Sequence, residues 1–213
     1  MNVDRPVYIE RILAGVDRSV YNAGMEPLDP SSVSERPARE RILLTAYRLF
    51  YGQGIRATGI DQVIAEAKVA KVTFYRHFPS KHALILAFLD YRHDRWMAWF
   101  VAALQRHGGG PEALVPTLGE WFEQPGFRGC AFINSLAELG SEVPEAAPTV
   151  RRHKQAMTDA IGALLPEGDR RKDDAWAIAL AVDGAIVRAQ YDPTPAAALE
   201  ALARVVRAIL DHP

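Results

Sequence analysis

The sequence is short of the features that most quickly place a protein. One cysteine, Cys130, stands among 213 residues, which excludes an internal disulfide framework and any zinc site built from several thiolates. Long hydrophobic runs are missing. An uncharged apolar stretch such as Ala175 to Val182 is far too short to span a bilayer. The opening residues, MNVDRPVYIERILAG, carry charges every few positions and lack the apolar core of a secretory signal. A cytoplasmic protein with no membrane partner is therefore expected. His93, His107 and His153 have no cysteine or carboxylate at recognisable ligand spacing, so no metal and no cofactor is expected. Paired carboxylates and Ser/His/Asp arrangements are also lacking, which argues against an enzyme. No segment alternates apolar and polar residues with the period of a strand.

Net charge is scarce too. Lys and Arg number 25 against 26 Asp and Glu, a balance of -1, which looks unfavourable to nucleic-acid binding. The distribution says otherwise. Residues 36–82 hold nine basic side chains (Arg36, Arg39, Arg41, Arg48, Arg56, Lys68, Lys71, Arg76, Lys81) and three acids (Glu40, Asp61, Glu66), a balance of +6. The remainder is correspondingly -7. A basic module joined to an acidic body is the expected organisation.

Apolar periodicity reads as helix throughout. Ile42, Ala46, Leu49 and Phe50 form one stripe over 39–53, with Pro37 before it and Gly52 and Gly54 behind. Thr58 is placed to cap a short helix carrying Ile60, Val63, Ile64 and Ala67. A tight break at Lys68-Val69-Ala70 leads to another short helix ending near His77. Ser80 then caps a long helix that runs toward His107, where Gly108-Gly109-Gly110-Pro111 stops it. Further helices are expected near 111–122, 129–140, 148–165, 170–190 and 194–211. In residues 1–34, Tyr8, Ile12, Val16 and Val20 share one helical face, read as a loosely held N-terminal extension. The expected fold is all-α, with 35–82 as a DNA-binding domain and 83–213 as a helical bundle.

Two short helices around a tight break, inside a basic segment, make a helix-turn-helix candidate. The first must brace the second through apolar contacts across the turn. The second must present short polar or basic side chains to the major groove. Lys71, Val72, Thr73 and Arg76 occupy that position, while Phe74 and Phe78 are expected to be buried.

The stretch TGIDQVIAEAKVAKVTFYRHFPSKHALILAFL resembles the DNA-binding signature of the tetracycline-repressor-like (TetR) family of bacterial regulators, over roughly 39–89. VAKVTFYRHFPSK is its most specific part, and FRGCAFINSLAELG resembles a segment of one subgroup. The resemblance implies that Lys71, Val72, Thr73 and Arg76 read base edges. It places Thr58, Tyr75, His77 and Lys81 on backbone phosphates, where they fix register. Arg36 and Arg39 are placed to reach a neighbouring phosphate or the minor groove. One position departs from the pattern: the turn residue usually occupied by glycine is Lys68. A positive φ there costs a lysine on the order of 1 kcal/mol.

The resemblance further implies a homodimer on a double-stranded operator, built from the last two helices. Trp176, Leu180, Val187, Leu202, Val206 and Ile209 are the candidate interface residues. It also implies a small-molecule effector pocket in the body. Candidate lining residues are Trp96, Trp99, Trp121 and Phe132, with Asn134, Glu138 and Asp183 as polar groups interrupting apolar helices. Cys130, two positions after Arg128, is read as a buried inert thiol rather than a redox sensor. The expected function is a repressor released from a palindromic operator by a small molecule. An all-α enzyme and a ligand-independent architectural DNA-binding protein are the alternatives.

Overall fold

The computed structural model describes residues 35–140 and 142–211, so the 1–34 extension and its expected helical face lie outside the described residues. Nine α-helices and one short 3-10 turn make up the described elements, and no strand is found among them. They are α1 (Ala38–Gln53), α2 (Ile60–Glu66), α3 (Lys71–His77), α4 (Lys81–Arg106), α5 (Leu114–Phe122), α6 (Ala131–Leu139), α7 (Ala146–Gly162), α8 (Arg171–Tyr191) and α9 (Ala196–Leu210). None is long and apolar enough to cross a membrane.

Two compact units result, one of residues 35–93 with 131–152 and one of residues 94–130 with 153–211. In the first, the apolar stripe of α1 is buried as its spacing requires: Ile42, Leu43, Ala46, Leu49 and Phe50 are all inaccessible. Val63 and Ala67 from α2, and Phe74 and Phe78 around α3, complete this small core. Phe88 on α4 meets Tyr47 and Phe50 edge-on, at 6.0 and 5.5 Å between ring centroids. Arg92 lies at the same level of α4, one turn after Phe88 and one before Trp96, and so on the apolar stripe. It is nonetheless buried. Its guanidinium covers the Tyr51 ring at 4.0 Å and donates to the Tyr47 hydroxyl at 2.5 Å. Aromatic faces and a phenol oxygen thus replace part of the water that a buried cation loses.

The second unit is centred on α8 and α9, with α5 against α9. α8 buries Ala175, Ile178, Ala179, Val182, Ala185 and Ile186 at helical spacing. α9 buries Ala198, Leu202 and Val206, one residue per turn. Leu202 and Val206 therefore close the core of their own chain. Candidate interface residues by sequence, they are not available to a partner, because the α9 stripe is consumed inside the unit. Cys130 is buried.

Candidate nucleic-acid interface

The turn between α2 and α3 is the element on which everything else at this surface depends. The Val69 amide bonds to the Ile64 carbonyl at 3.3 Å and the Lys68 amide to the Ala65 carbonyl at 3.2 Å. This is the paired pattern of a Schellman C-cap, with Lys68 at the position glycine usually fills. Its φ is 52°, and no other non-glycine among the described residues has a positive φ. Lys68 therefore adopts the left-handed conformation that carries a cost for a lysine. Arg41 secures the geometry from α1: its Nε donates to the Ala67 carbonyl at 3.1 Å and its Nη2 to the Lys68 carbonyl at 3.3 Å. Its Nη1 reaches the Arg36 carbonyl at 3.1 Å. One guanidinium so joins the start of α1 to the turn. Sequence reasoning had no local signal for this, since the partners lie 26 and 27 positions apart.

Beyond the turn, Ala70 is extended and α3 begins at Lys71. Phe74 is fully buried and anchors the helix. The remaining side chains divide as their positions dictate. Val72 is 77% exposed, an unusual state for a β-branched apolar residue, and Tyr75 is 41% exposed. Lys71 and Arg76 are exposed as well, while Thr73 and His77 are half-buried. Lys71 lies 3.6 Å from Asp61 of α2, a loose contact between two exposed groups. Tyr75 is held edge-on against Phe74 at 5.2 Å.

Flanking groups are distributed less evenly. Arg36 is exposed and its Nη1 contacts Glu40 at 3.5 Å, and Arg39 lies over the Phe78 ring at 5.2 Å. Arg48 of α1 is ion-paired with Glu66 of α2. Hydrogen bonds from Gln62 and Arg48 hold the Glu66 carboxyl below its usual range. Ser80 caps α4 as expected, accepting from the Ala83 amide at 3.1 Å. Thr58 does not cap α2. It is fully buried, its hydroxyl donates to the Gly54 carbonyl at 2.7 Å and accepts from Gln53 Nε2 at 3.2 Å. The cap position belongs to Gly59, so Thr58 stabilises the α1–α2 loop and offers no free hydroxyl to a phosphate.

Two acids from α6 and just beyond it reach this module. Glu138 Oε2 accepts the Arg56 amide at 2.9 Å, and Glu142 pairs with the Arg56 guanidinium at 2.5 Å. Gly54 lies so close that a Cβ there would be 3.1 Å from Glu138 Oε2, and its φ of 95° is itself a glycine conformation. Burial lowers the Lys81 ammonium from its ordinary value, while the charges of Glu138 and Glu142 oppose that shift. Glu138, a pocket candidate by sequence, is bonded to the basic module. Phe132, which is buried, and Asn134, which is half-buried, lie in the same compact unit.

The other pocket candidates lie in the second unit. Trp96 stacks on Phe100 at 4.5 Å and meets Trp121 edge-on at 5.5 Å and His153 at 5.1 Å. Trp99 joins them at 6.2 Å from both Trp96 and Trp121. Among the described residues, the buried Trp96 indole N–H and Thr117 hydroxyl have no hydrogen-bond partner. Asp183 is separately engaged, paired with Lys154 at 2.5 Å. On α8, Trp176, Leu180 and Val187 project outward, together with Tyr191. Ile209 on α9 is half-buried.

A family model described as "Bacterial regulatory proteins, tetR family" matches residues 42–88, which spans α1 to α3 and the start of α4. The crystal structure of SCO4454, a TetR-family transcriptional regulator from Streptomyces coelicolor, is 32% identical with a TM-score of 0.71. The alignment covers 82% of this chain and 94% of that one. The chain belongs to the TetR family. Among curated relatives, the uncharacterized HTH-type transcriptional regulator YuxN of Bacillus subtilis is 38% identical over 58 residues, covering 27% of this chain and 20% of its own. The HTH-type transcriptional activator FasR of Mycolicibacterium smegmatis is 28% identical over 132 residues, covering 60% of this chain and 58% of its own. The chain thus spans from a fifth to somewhat over half the length of these two relatives. As a TetR-family member it has an N-terminal helix-turn-helix and a helical C-terminal portion.

Proposed function

We propose that this TetR-family protein is a transcriptional regulator that binds a palindromic DNA operator as a homodimer and is released from it by a small molecule. The observation that carries the reading is α3. A helix braced by a fully buried Phe74 presents Lys71, Val72, Tyr75 and Arg76 to solvent from a segment of charge +6. What suits this helix to a partner is the combination of a valine 77% exposed, a partly exposed tyrosine and two exposed cations on one short element. A major groove fits, because the valine methyls meet a thymine methyl while Lys71 and Arg76 pair with guanine N7 and O6. Thr73 completes the base-reading set. Tyr75, His77, Lys81, Arg36 and Arg39 hold backbone phosphates. DNA reading resides in 35–82, and ligand response and dimerisation in 83–213.

Dimerisation uses the outward face of α8, where Trp176, Leu180, Val187 and Tyr191 stand exposed at near-heptad spacing on a helix whose opposite face is core. Two-fold symmetry sets the two α3 helices about 34–36 Å apart on successive major grooves. The effector site is assigned to the aromatic group of Trp96, Trp99 and Trp121, where the buried indole N–H and the Thr117 hydroxyl offer unused polar atoms to a ligand. Such a ligand acts only through different affinities for two dimer geometries. Repression is the proposed sign, although the relative FasR is named an activator.

The test is a mobility-shift titration on duplexes recovered by selection from a random-sequence library. Wild type should give a specific, salt-sensitive complex. Lys71→Ala should weaken it about tenfold or more, and Tyr75→Ala should weaken it less and alike across sequence variants. Recovery of no preferred sequence by the wild type would overturn the proposal.

A further inference from the structure

The DNA-reading unit contains two carboxylates that no DNA contact explains, Glu138 at the end of α6 and Glu142 just after it. They meet Arg56 in the α1–α2 loop, more than eighty positions away in sequence, and both act on Lys81 at the start of α4. Glu142 is thus paired with one cation, the Arg56 guanidinium, while the charges of both carboxylates act on a second, Lys81, which is one of the residues assigned to phosphate. The two contacts to Arg56 differ in kind. Glu138 accepts a backbone amide, is half-buried and lies against Gly54. This bond fixes where the loop lies. Glu142 pairs only with the guanidinium, and both side chains of that pair are 62% exposed.

An exposed pair of this kind contributes little to stability and is readily exchanged for another partner. The two unesterified oxygens of a DNA phosphate can accept a guanidinium's paired N–H groups, as the two oxygens of a carboxylate do. We infer that Glu142 is a stand-in for DNA phosphate: it holds Arg56 in the free protein, and on operator binding Arg56 exchanges Glu142 for the DNA backbone, while Glu138 keeps the loop in place. This rests on the DNA-binding reading above and adds Arg56 to the phosphate contacts. The exchange also makes Glu142 a brake on affinity, because the ion pair must open before the new contact forms.

The test is a double-mutant cycle read by fluorescence anisotropy on the selected duplex, each protein titrated from low to high salt. Glu142→Gln should tighten binding about two- to fivefold per half-site, the range of an exposed pair, with the slope of log affinity on log salt unchanged. Arg56→Gln should weaken binding and reduce that slope by about 1.8 for the dimer, about 0.9 for the phosphate contact that each protomer loses. In the Arg56→Gln background, Glu142→Gln should bring no gain. An equal gain in both backgrounds would show only the removal of a negative charge and would overturn the exchange. So would an unchanged slope in Arg56→Gln. Glu138→Gln, which retains the acceptor, should bind like wild type, and Glu138→Ala should weaken binding without altering the slope. If the wild type selects no DNA, the underlying reading fails. If it binds and Glu142→Gln changes nothing, the exchange alone fails.

Discussion

Lys68 adopts a backbone conformation that costs an L-residue with a side chain about 1–2 kcal/mol, and its own side chain is exposed. Glycine removes that cost but gains freedom in the unfolded chain, worth about 0.4–1 kcal/mol against it. The first term is the larger. Lys68→Gly should therefore stabilise the protein by roughly 0.5–1 kcal/mol, visible as a higher midpoint in urea denaturation with an unchanged slope. A lower midpoint would mean that the lysine side chain makes a contribution its exposure hides. His93 offers a second test on one residue. Burial depresses its pKa below the ordinary value, the Arg152 charge pushes the same way, and Asp90 opposes. The folded state thus binds the proton less well than the unfolded state. Stability from this site is complete above the unfolded value of about 6.5 and falls as pH drops from there toward the folded pKa. Comparison of wild type with His93→Gln between pH 7.5 and 5 should show a steeper decline in wild type, and parallel curves would refute the assignment.

At the scale of helices, the sequence was legible wherever apolar spacing and breakers agreed. The stripe over 39–53, the glycine stop after His107 and the Ser80 cap all appear where those signals point, because each is settled within a turn or two of chain. What was not legible was decided at long range. Thr58 has the composition of an N-cap, yet the loop turns its hydroxyl back to Gly54 and leaves the cap position to Gly59. Glu138 interrupts an apolar helix as a pocket residue would, but its partner is an amide 82 positions earlier. Arg92 was detectable in principle, since it falls on the buried stripe of α4, one turn from both Phe88 and Trp96. Arg41 was not, because its role is to accept the geometry of two carbonyls in a distant turn. Its three hydrogen bonds predict a specific outcome. Arg41→Lys keeps the charge but cannot serve three divergent carbonyls, and should cost about 1–2 kcal/mol of stability. Amide exchange at Lys68 and Val69, whose bonds close the turn, should quicken more than at Ile42 in the α1 core. Uniform quickening would mean that Arg41 supports the unit generally rather than the turn.

Over the whole chain, a formal charge of -1 conceals a basic segment at +6 and a remainder at -7. On the proposed DNA-binding reading, the acidic surplus disfavours contact with a duplex outside the basic segment. The proposed reading also has two chains associate, and the buried and exposed faces of α8 and α9 give association a sharp test. Leu180 is 58% exposed whereas Leu202 is 2% exposed, so the same substitution at each should act through different physics. Leu180→Glu places a charge on a face that water already reaches in the isolated chain. It should leave helical circular dichroism and the unfolding transition of the protomer intact, while sedimentation equilibrium reports a monomer. Leu202→Glu buries an unpaired carboxylate in the core and should abolish the cooperative transition. If Leu180→Glu stays dimeric at micromolar concentration, the outward α8 face is not the contact. If it becomes monomeric, operator affinity should fall by two orders of magnitude or more, because each half-site then binds without the other tethered beside it.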